Sequence, residues 1–201
     1  MRRYRANNQL LKEAYGESEQ EKRDYAILSL MLRTGLRDIE VVRADVGDIK
    51  PHSGVMVLFV HGKGRSEKDD FVVLTDALLA DINRYLDARD PHSPADPLFA
   101  STSNRNKGGR LTTRSVSGIV KQALRNIGLD SERYTAHSLR HTSVTYALMA
   151  GAALEETQKM ARHADISTTM VYAQHVDRVR SNAEARVSAY LDDDLPGGNR
   201  S

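Results

Sequence analysis

Apolar residues recur along this chain with two different periods, and the switches between them predict the elements. Tyr25, Leu28 and Leu32, with Ile27 and Met31 beside them, repeat at three- and four-residue spacing, which predicts a helix to about Arg33. Ser18-Glu19-Gln20-Glu21 opens it as a capping box, and Gly35 stands where a helix-ending glycine belongs. A short helix from Arg37 to about Arg43 should follow. The period then changes. Val55-Met56-Val57-Leu58-Phe59-Val60 and Phe71-Val72-Val73-Leu74 read as strands, and His61-Gly62-Lys63-Gly64-Arg65 as the turn of a hairpin between them. A weaker strand is expected around Val46 to Lys50. Thr75 caps a helix through about Ala88, with Leu78, Leu79, Ile82 and Leu86 on one face, and Pro91, Pro94 and Pro97 break the chain after it. Helical patterns then cover about Thr113 to Ile127, His137 to Ala150, Leu154 to Arg162, Ser167 to about Ala173 and Arg178 to Leu191.

The expected fold class is therefore α+β and mostly helical, with a small antiparallel β-hairpin or sheet at one side of a helical core. Residues 1–17 are expected to be a lead-in helix or linker, 18–176 the main domain, 177–192 a C-terminal helix and 193–201 a disordered tail. Met149, Met160 and Met170 read as core residues, and Tyr146 and Tyr190 as packing residues. With 201 residues the chain can bury a real core. Its longest apolar run, Val55 to Val60, is too short to span a bilayer. There is no cysteine, which excludes disulfides, thiolate metal sites and a cysteine nucleophile, and fits a reducing compartment.

The net charge of +2, from 29 basic and 27 acidic residues, does not by itself point to nucleic acid. Its distribution does. Between Ser101 and Arg125 lie Arg105, Lys107, Arg110, Arg114, Lys121 and Arg125, with no acidic residue among them. Ser, Thr, Asn and Gly are interleaved, and these suit contacts to phosphate. A phosphate-bearing partner, nucleic acid above all, is what this face suggests, with the helix from about Thr113 lying against it.

The chemistry concentrates in three stretches. In His137-Ser138-Leu139-Arg140-His141, helical spacing puts both histidines and the arginine on one face. A zinc-peptidase reading needs a glutamate after the first histidine. Ser138 stands there, and the charge of Arg140 opposes a metal cation. An anion, phosphate above all, suits the group better. In Thr34-Gly35-Leu36-Arg37-Asp38-Ile39-Glu40, Glu40 lies one turn beyond Arg37 and can hold its fork in place. Finally, His163 is followed nine residues later by Tyr172.

Taken in order, Thr-Gly-Leu-Arg-x-x-Glu, a Gly-Lys-Gly hairpin turn, His-x-Leu-Arg-His, and a His with a Tyr nine residues on resemble the tyrosine recombinases, also called phage integrases. The resemblance covers about residues 18–190. It implies a site-specific recombinase that cleaves and rejoins DNA through a covalent 3′-phosphotyrosyl intermediate, with no metal, ATP or other cofactor. It implies roles as well. Arg37 and Arg140 would bind the scissile phosphate, with Glu40 supporting Arg37. Lys63 and His137 would handle protons, His163 would support the phosphate, and Tyr172 would be the nucleophile. Arg65 and Lys68 compete with Lys63 for the general-acid role, and His141 is read as a buried histidine that fixes its helix. The implied assembly is a homotetramer on DNA, joined through the C-terminal helix, in the cytoplasm with the nucleoid and off the membrane.

Two departures are visible. The family often has glycine before the second histidine, where this chain has Arg162. Full recombinases also carry a helical DNA-clamping domain ahead of the catalytic one, which makes a fragment or a short protein the expectation here. The alternatives are a DNA-binding relative without activity, which would be expected to lack Tyr172 or an arginine, and a type IB topoisomerase, which relaxes DNA without exchanging partners.

Overall fold

The computed structural model of the chain describes residues 9–61, 67–90 and 92–193. The first helix, α1, is helical over residues 9–14. After it come α2 (Glu19–Thr34), α3 (Asp38–Arg43), a 3-10 turn (Val46–Asp48), β1 (Ile49–His52), β2 (Val55–Val60), β3 (Asp70–Val73), α4 (Asp76–Leu86), α5 (Thr113–Asn126), α6 (Ala136–Met149), α7 (Leu154–Ala161), α8 (Ile166–Ser181) and α9 (Ala183–Asp193). Two compact units divide the chain. One holds Met1–Ser143 with Met160–Arg162, and the other holds Val144–Lys159 with His163–Ser201.

In the first unit the core forms around α2. Ser18 Oγ accepts from the Glu21 N–H while the Glu21 carboxylate accepts from the Ser18 N–H, and Gly35 ends the helix at φ 65. Ala26, Ile27, Leu28, Leu30, Met31 and Leu32 are all buried, so the helix is covered on most of its circumference rather than along one stripe. The strands form a three-stranded antiparallel sheet in the order β1-β2-β3, with Lys50 opposite Val57 and Phe59 opposite Phe71. Leu78, Ile82 and Tyr85 bury one face of α4, and Val116, Val120, Ala123 and Leu124 one face of α5.

Three expectations need correction. The strand expected from Val46 begins only at Ile49, because the backbone N–H groups of Val46 and Gly47 donate to Asp96 and Pro94 and the chain there turns as a 3-10 helix. The helix expected to stop near Ala173 continues to Ser181, since nothing between breaks it. The break is at Asn182, in the left-handed region at φ 41, and α9 starts beyond it. The apolar repeat Val179, Ala183, Val187, Leu191 is thereby split between two helices. Lastly, Met149 and Met170 are 41% and 42% exposed and Tyr190 is 73% exposed, so these are not core residues. The tail from 194 lies outside the described residues, whereas Asp193 is still helical. Among the described residues no helix is long and apolar enough to cross a membrane.

Among the described residues the regular elements of the second unit are all helices. Leu148, Val176 and the polar Thr157 and Thr169 are buried in it. Arg180 donates from Nη2 to the Met149 carbonyl at 2.5 Å, tying α8 to the end of α6.

Candidate active site

The first unit carries two arginines, each held from behind. Arg37 caps α3. Its backbone N–H donates to Glu40 Oε2 at 2.7 Å and its Nη1 to Glu40 Oε1 at 2.8 Å. Its side chain is 27% exposed while that of Glu40 is 5% exposed, so the carboxylate sits behind the guanidinium. The pairing expected from the sequence is therefore formed. Arg140 is only 3% exposed. It donates from Nη1 to the Gly35 carbonyl at 2.5 Å and from Nη2 to the Ala161 carbonyl, at the ends of α2 and α7. Gly35 makes this approach through its left-handed backbone, and a Cβ there would stand 3.3 Å from Ser143 Oγ.

His137 and His141 pack edge to face on α6, with ring centroids 4.5 Å apart, and both are exposed. The expectation of a buried His141 is thus incorrect, because its side of α6 faces outward while Leu139 and Arg140 face the core. Partial desolvation, then the neighbouring His137 and Arg140, lower the His141 pKa below the ordinary imidazole value.

Glu40 has a third partner that the sequence did not reveal. Arg162 donates from Nη2 to Glu40 Oε2 at 2.8 Å, and both side chains are 5% exposed. Burial pushes the Glu40 carboxyl up. The Arg162 guanidinium, the Arg37 N–H and the Arg37 guanidinium outweigh that and hold it below the usual carboxylate value. The signal in the sequence was the departure itself: an arginine where glycine is expected. Arg162 takes the glycine-like conformation all the same, at φ 53.

In the second unit His163 and Tyr172 are placed by one local device. The His163 N–H donates to the Gln158 carbonyl at 3.1 Å, a wrap that closes the end of α7. Asp165 then caps α8, accepting from the Ser167 N–H at 2.8 Å. One turn in, the fully buried Thr169 places Oγ1 2.9 Å from His163 Nδ1. Tyr172 is three residues beyond Thr169 on the same face of the helix, its ring nearly parallel to that of His163 at 6.4 Å. Thr169 is the second residue the sequence reading missed. Its only signal was its place between the two candidates.

Lys63 and its competitor Arg65 lie outside the described residues. Lys68 is described, and its ammonium pairs with Asp45 at 2.6 Å and with Asp48. Desolvation lowers its pKa, but the hydrogen bonds and charges of the two aspartates outweigh this and raise it above the ordinary lysine value. A proton held this way makes Lys68 a poor general acid. The basic face is also less uniform than its sequence. Arg110 stays 39% exposed but donates to the Val42 carbonyl at 2.8 Å and pairs with Asp45 at 2.5 Å, so it clamps the chain. Lys107 pairs with Asp90 and Arg125 with Asp130, both near the surface. Arg105 and Arg114 are exposed and Lys121 is half-buried, and among the described residues these three form no ion pair.

Residues 5–178 match the sequence profile of the phage integrase family. The chain belongs to that family. It is 35% identical over 158 residues to tyrosine recombinase XerC of Caldanaerobacter subterraneus subsp. tengcongensis, covering 78% of this chain and 42% of that protein. It is 32% identical to tyrosine recombinase XerA of Pyrococcus horikoshii over 152 residues, 76% of this chain and 50% of that protein. The chain spans about half the length of the curated relatives it matches. Among solved structures, the XerH site-specific recombinase bound to its palindromic difH substrate after cleavage has the same fold, with a TM-score of 0.76 at 22% identity over 92% of this chain and 52% of that one. The XerA recombinase structure gives 0.69 at 25% identity, over 89% of this chain and 63% of that one.

Proposed function

We propose that this integrase-family chain is a site-specific DNA recombinase that breaks and rejoins strands through a 3′-phosphotyrosyl bond at Tyr172. The observation that carries the reading is the His163–Thr169–Tyr172 arrangement. It sets a phenol ring alongside an imidazole whose Nδ1 lies 2.9 Å from Thr169 Oγ1.

The chemistry follows from the residue types. A phenol has a pKa near 10 and attacks phosphorus poorly until its proton is taken. His137 accepts that proton. As the Tyr172 oxygen bonds to phosphorus, negative charge gathers on the non-bridging oxygens, and Arg37, Arg140 and His163 donate to them. The burial of Arg140 and Glu40 strengthens these interactions, since fewer water dipoles screen them. The bond to the 5′ oxygen breaks as Lys63 delivers a proton to it. The phosphotyrosyl link conserves the energy of the broken phosphodiester, and the reverse attack by a 5′ hydroxyl reseals the strand.

Duplex DNA is the proposed substrate. It is supported by the exposed Arg105 and Arg114 and by structural neighbours solved in complex with DNA. The proposed assembly is a tetramer on two duplexes, with α9 donated to a neighbouring subunit. Supporting this, α9 is exposed from Ala183 to Asp192, with Val187 at 59%, Tyr190 at 73% and Leu191 at 57%. A helix that leaves Val187, Tyr190 and Leu191 this open suits a groove on another copy.

The test is a nicked suicide duplex carrying a site enriched from random duplexes by binding to the chain, run on a denaturing gel. Wild type should give a covalent band, and Tyr172→Phe should give none while binding the duplex almost as well. An adduct that persists in Tyr172→Phe would place the nucleophile elsewhere.

A further inference from the structure

Arg162 combines two features that each cost stability. Its backbone is left-handed at φ 53, where a non-glycine residue is uncommon and glycine is the ordinary occupant of such a helix end. Its guanidinium is buried, at 5% exposure, with Nε–H left without a hydrogen-bond partner. Glycine would make the same turn with neither cost, so the turn alone does not account for the residue. What the side chain adds is its bond to Glu40. Oε2 of Glu40 accepts from Arg162 and from the Arg37 N–H, and Oε1 accepts from Arg37 Nη1. Arg162 is itself fixed by its Nη1 bond to the Met160 carbonyl at 2.9 Å. Among the described residues, Arg37 from the start of α3 and Arg162 from the end of α7 are the charged groups facing this carboxylate.

We propose that Arg162 is a positioning residue: acting through Glu40, it locks the fork of Arg37 in the orientation that receives a phosphate. The inference rests on the reading of Arg37 as a phosphate ligand. Two effects follow from the geometry. A carboxylate gripped at both oxygens cannot pivot, so the Arg37 fork is preorganised. Charge balance matters as well. Arg37 and Glu40 alone would be neutral, whereas two guanidiniums around one carboxylate leave one net positive charge for the phosphate. Arg162 also favours the ionised form of the buried carboxylate. Without it, the desolvation that pushes the Glu40 carboxyl up is opposed by Arg37 alone.

The experiment compares wild type with Arg162→Gly, Arg162→Lys and Arg162→Met in single-turnover adduct formation on the nicked duplex, from pH 6 to pH 8.5. Arg162→Gly relieves the left-handed strain and should fold, which its thermal transition verifies. It should slow adduct formation by about tenfold or more, with duplex binding changed less than about threefold. The deficit should deepen toward pH 6, because a protonated Glu40 releases Arg37. Arg162→Lys keeps the charge and should restore the pH profile with part of the rate, and Arg162→Met should restore neither. A glycine variant with the wild-type rate and profile overturns the proposal, as does a lysine variant no better than methionine. A second readout needs no cleavage. The Arg37 guanidinium 15N–1H resonances of the DNA-free chain should be sharp in wild type and broadened by exchange in Arg162→Gly, and unchanged resonances overturn the link. If those resonances respond as expected while wild type forms no adduct, the functional reading fails and the positioning link stands.

Discussion

Thr169→Val removes one hydroxyl from a fully buried position and keeps the shape of the side chain. The oxygen lost is the one 2.9 Å from His163 Nδ1. When Thr169 donates to Nδ1, the ring proton sits on Nε2, the tautomer that can donate outward to a phosphate. A hydrogen bond of this kind contributes about 0.5–1.5 kcal/mol net. Expressed wholly in the transition state, that is a loss of about two- to tenfold in cleavage. Expressed in folding, it lowers the melting temperature by about 2–4 °C per kcal/mol in a chain of this length. Since His163 is half-buried, water replaces part of the bond for the imidazole, which puts the stability loss toward the low end. Single-turnover adduct formation on the nicked duplex and a thermal melt read the two parts separately. Thr169→Ser, which keeps the hydroxyl, should restore cleavage. Wild-type cleavage in Thr169→Val, or a serine variant as slow as valine, would refute the role given to this hydroxyl.

Three further outcomes are expected. The His141 pKa is lowered in the folded chain, so its contribution to stability is complete above the ordinary value of 6.5 and is lost as pH falls through the lower folded value; His141→Gln should flatten this acid limb in melts taken from pH 7.5 to pH 5. Arg114→Ala should weaken duplex binding and reduce its salt dependence while leaving the melting temperature nearly unchanged, whereas Arg110→Ala should lower the melting temperature first, because Arg110 clamps Val42 and Asp45; equal effects on binding and stability for both would remove the distinction. Gly118 lies inside α5 with open space where a Cβ would be, so Gly118→Ala should stabilise the chain by about 0.5–1 kcal/mol in chemical denaturation, and a loss of stability would contradict that geometry.

The parts of this protein that local rules control are legible in the order of its residues. The capping box at Ser18, the left-handed Gly35 and the cap at Thr75 follow from hydrogen bonds spanning three or four residues, the limits of β2 follow from its unbroken apolar run, and all are present as expected. The Arg37–Glu40 pair was legible for the same reason, since one helical turn brings the two together. The identity of the candidates was legible because four short motifs occur in one order. Packing set whatever depends on partners distant in sequence. Glu40 and Arg162 are 122 residues apart, and no periodicity links them. Arg140 shares a helix face with two histidines in the sequence pattern, yet its guanidinium is drawn inward by the carbonyls of Gly35 and Ala161, which only the fold delivers. The six basic residues from Arg105 to Arg125 look equivalent in a stretch with no acid, but Asp45 and Asp90 arrive from elsewhere and pair with two of them, while Asp130, just past the stretch, pairs with Arg125. A side chain's local surroundings fix its secondary structure. Its charge partners, and with them its chemistry, are fixed by which distant segments the packing of α2, α3 and α5 brings alongside.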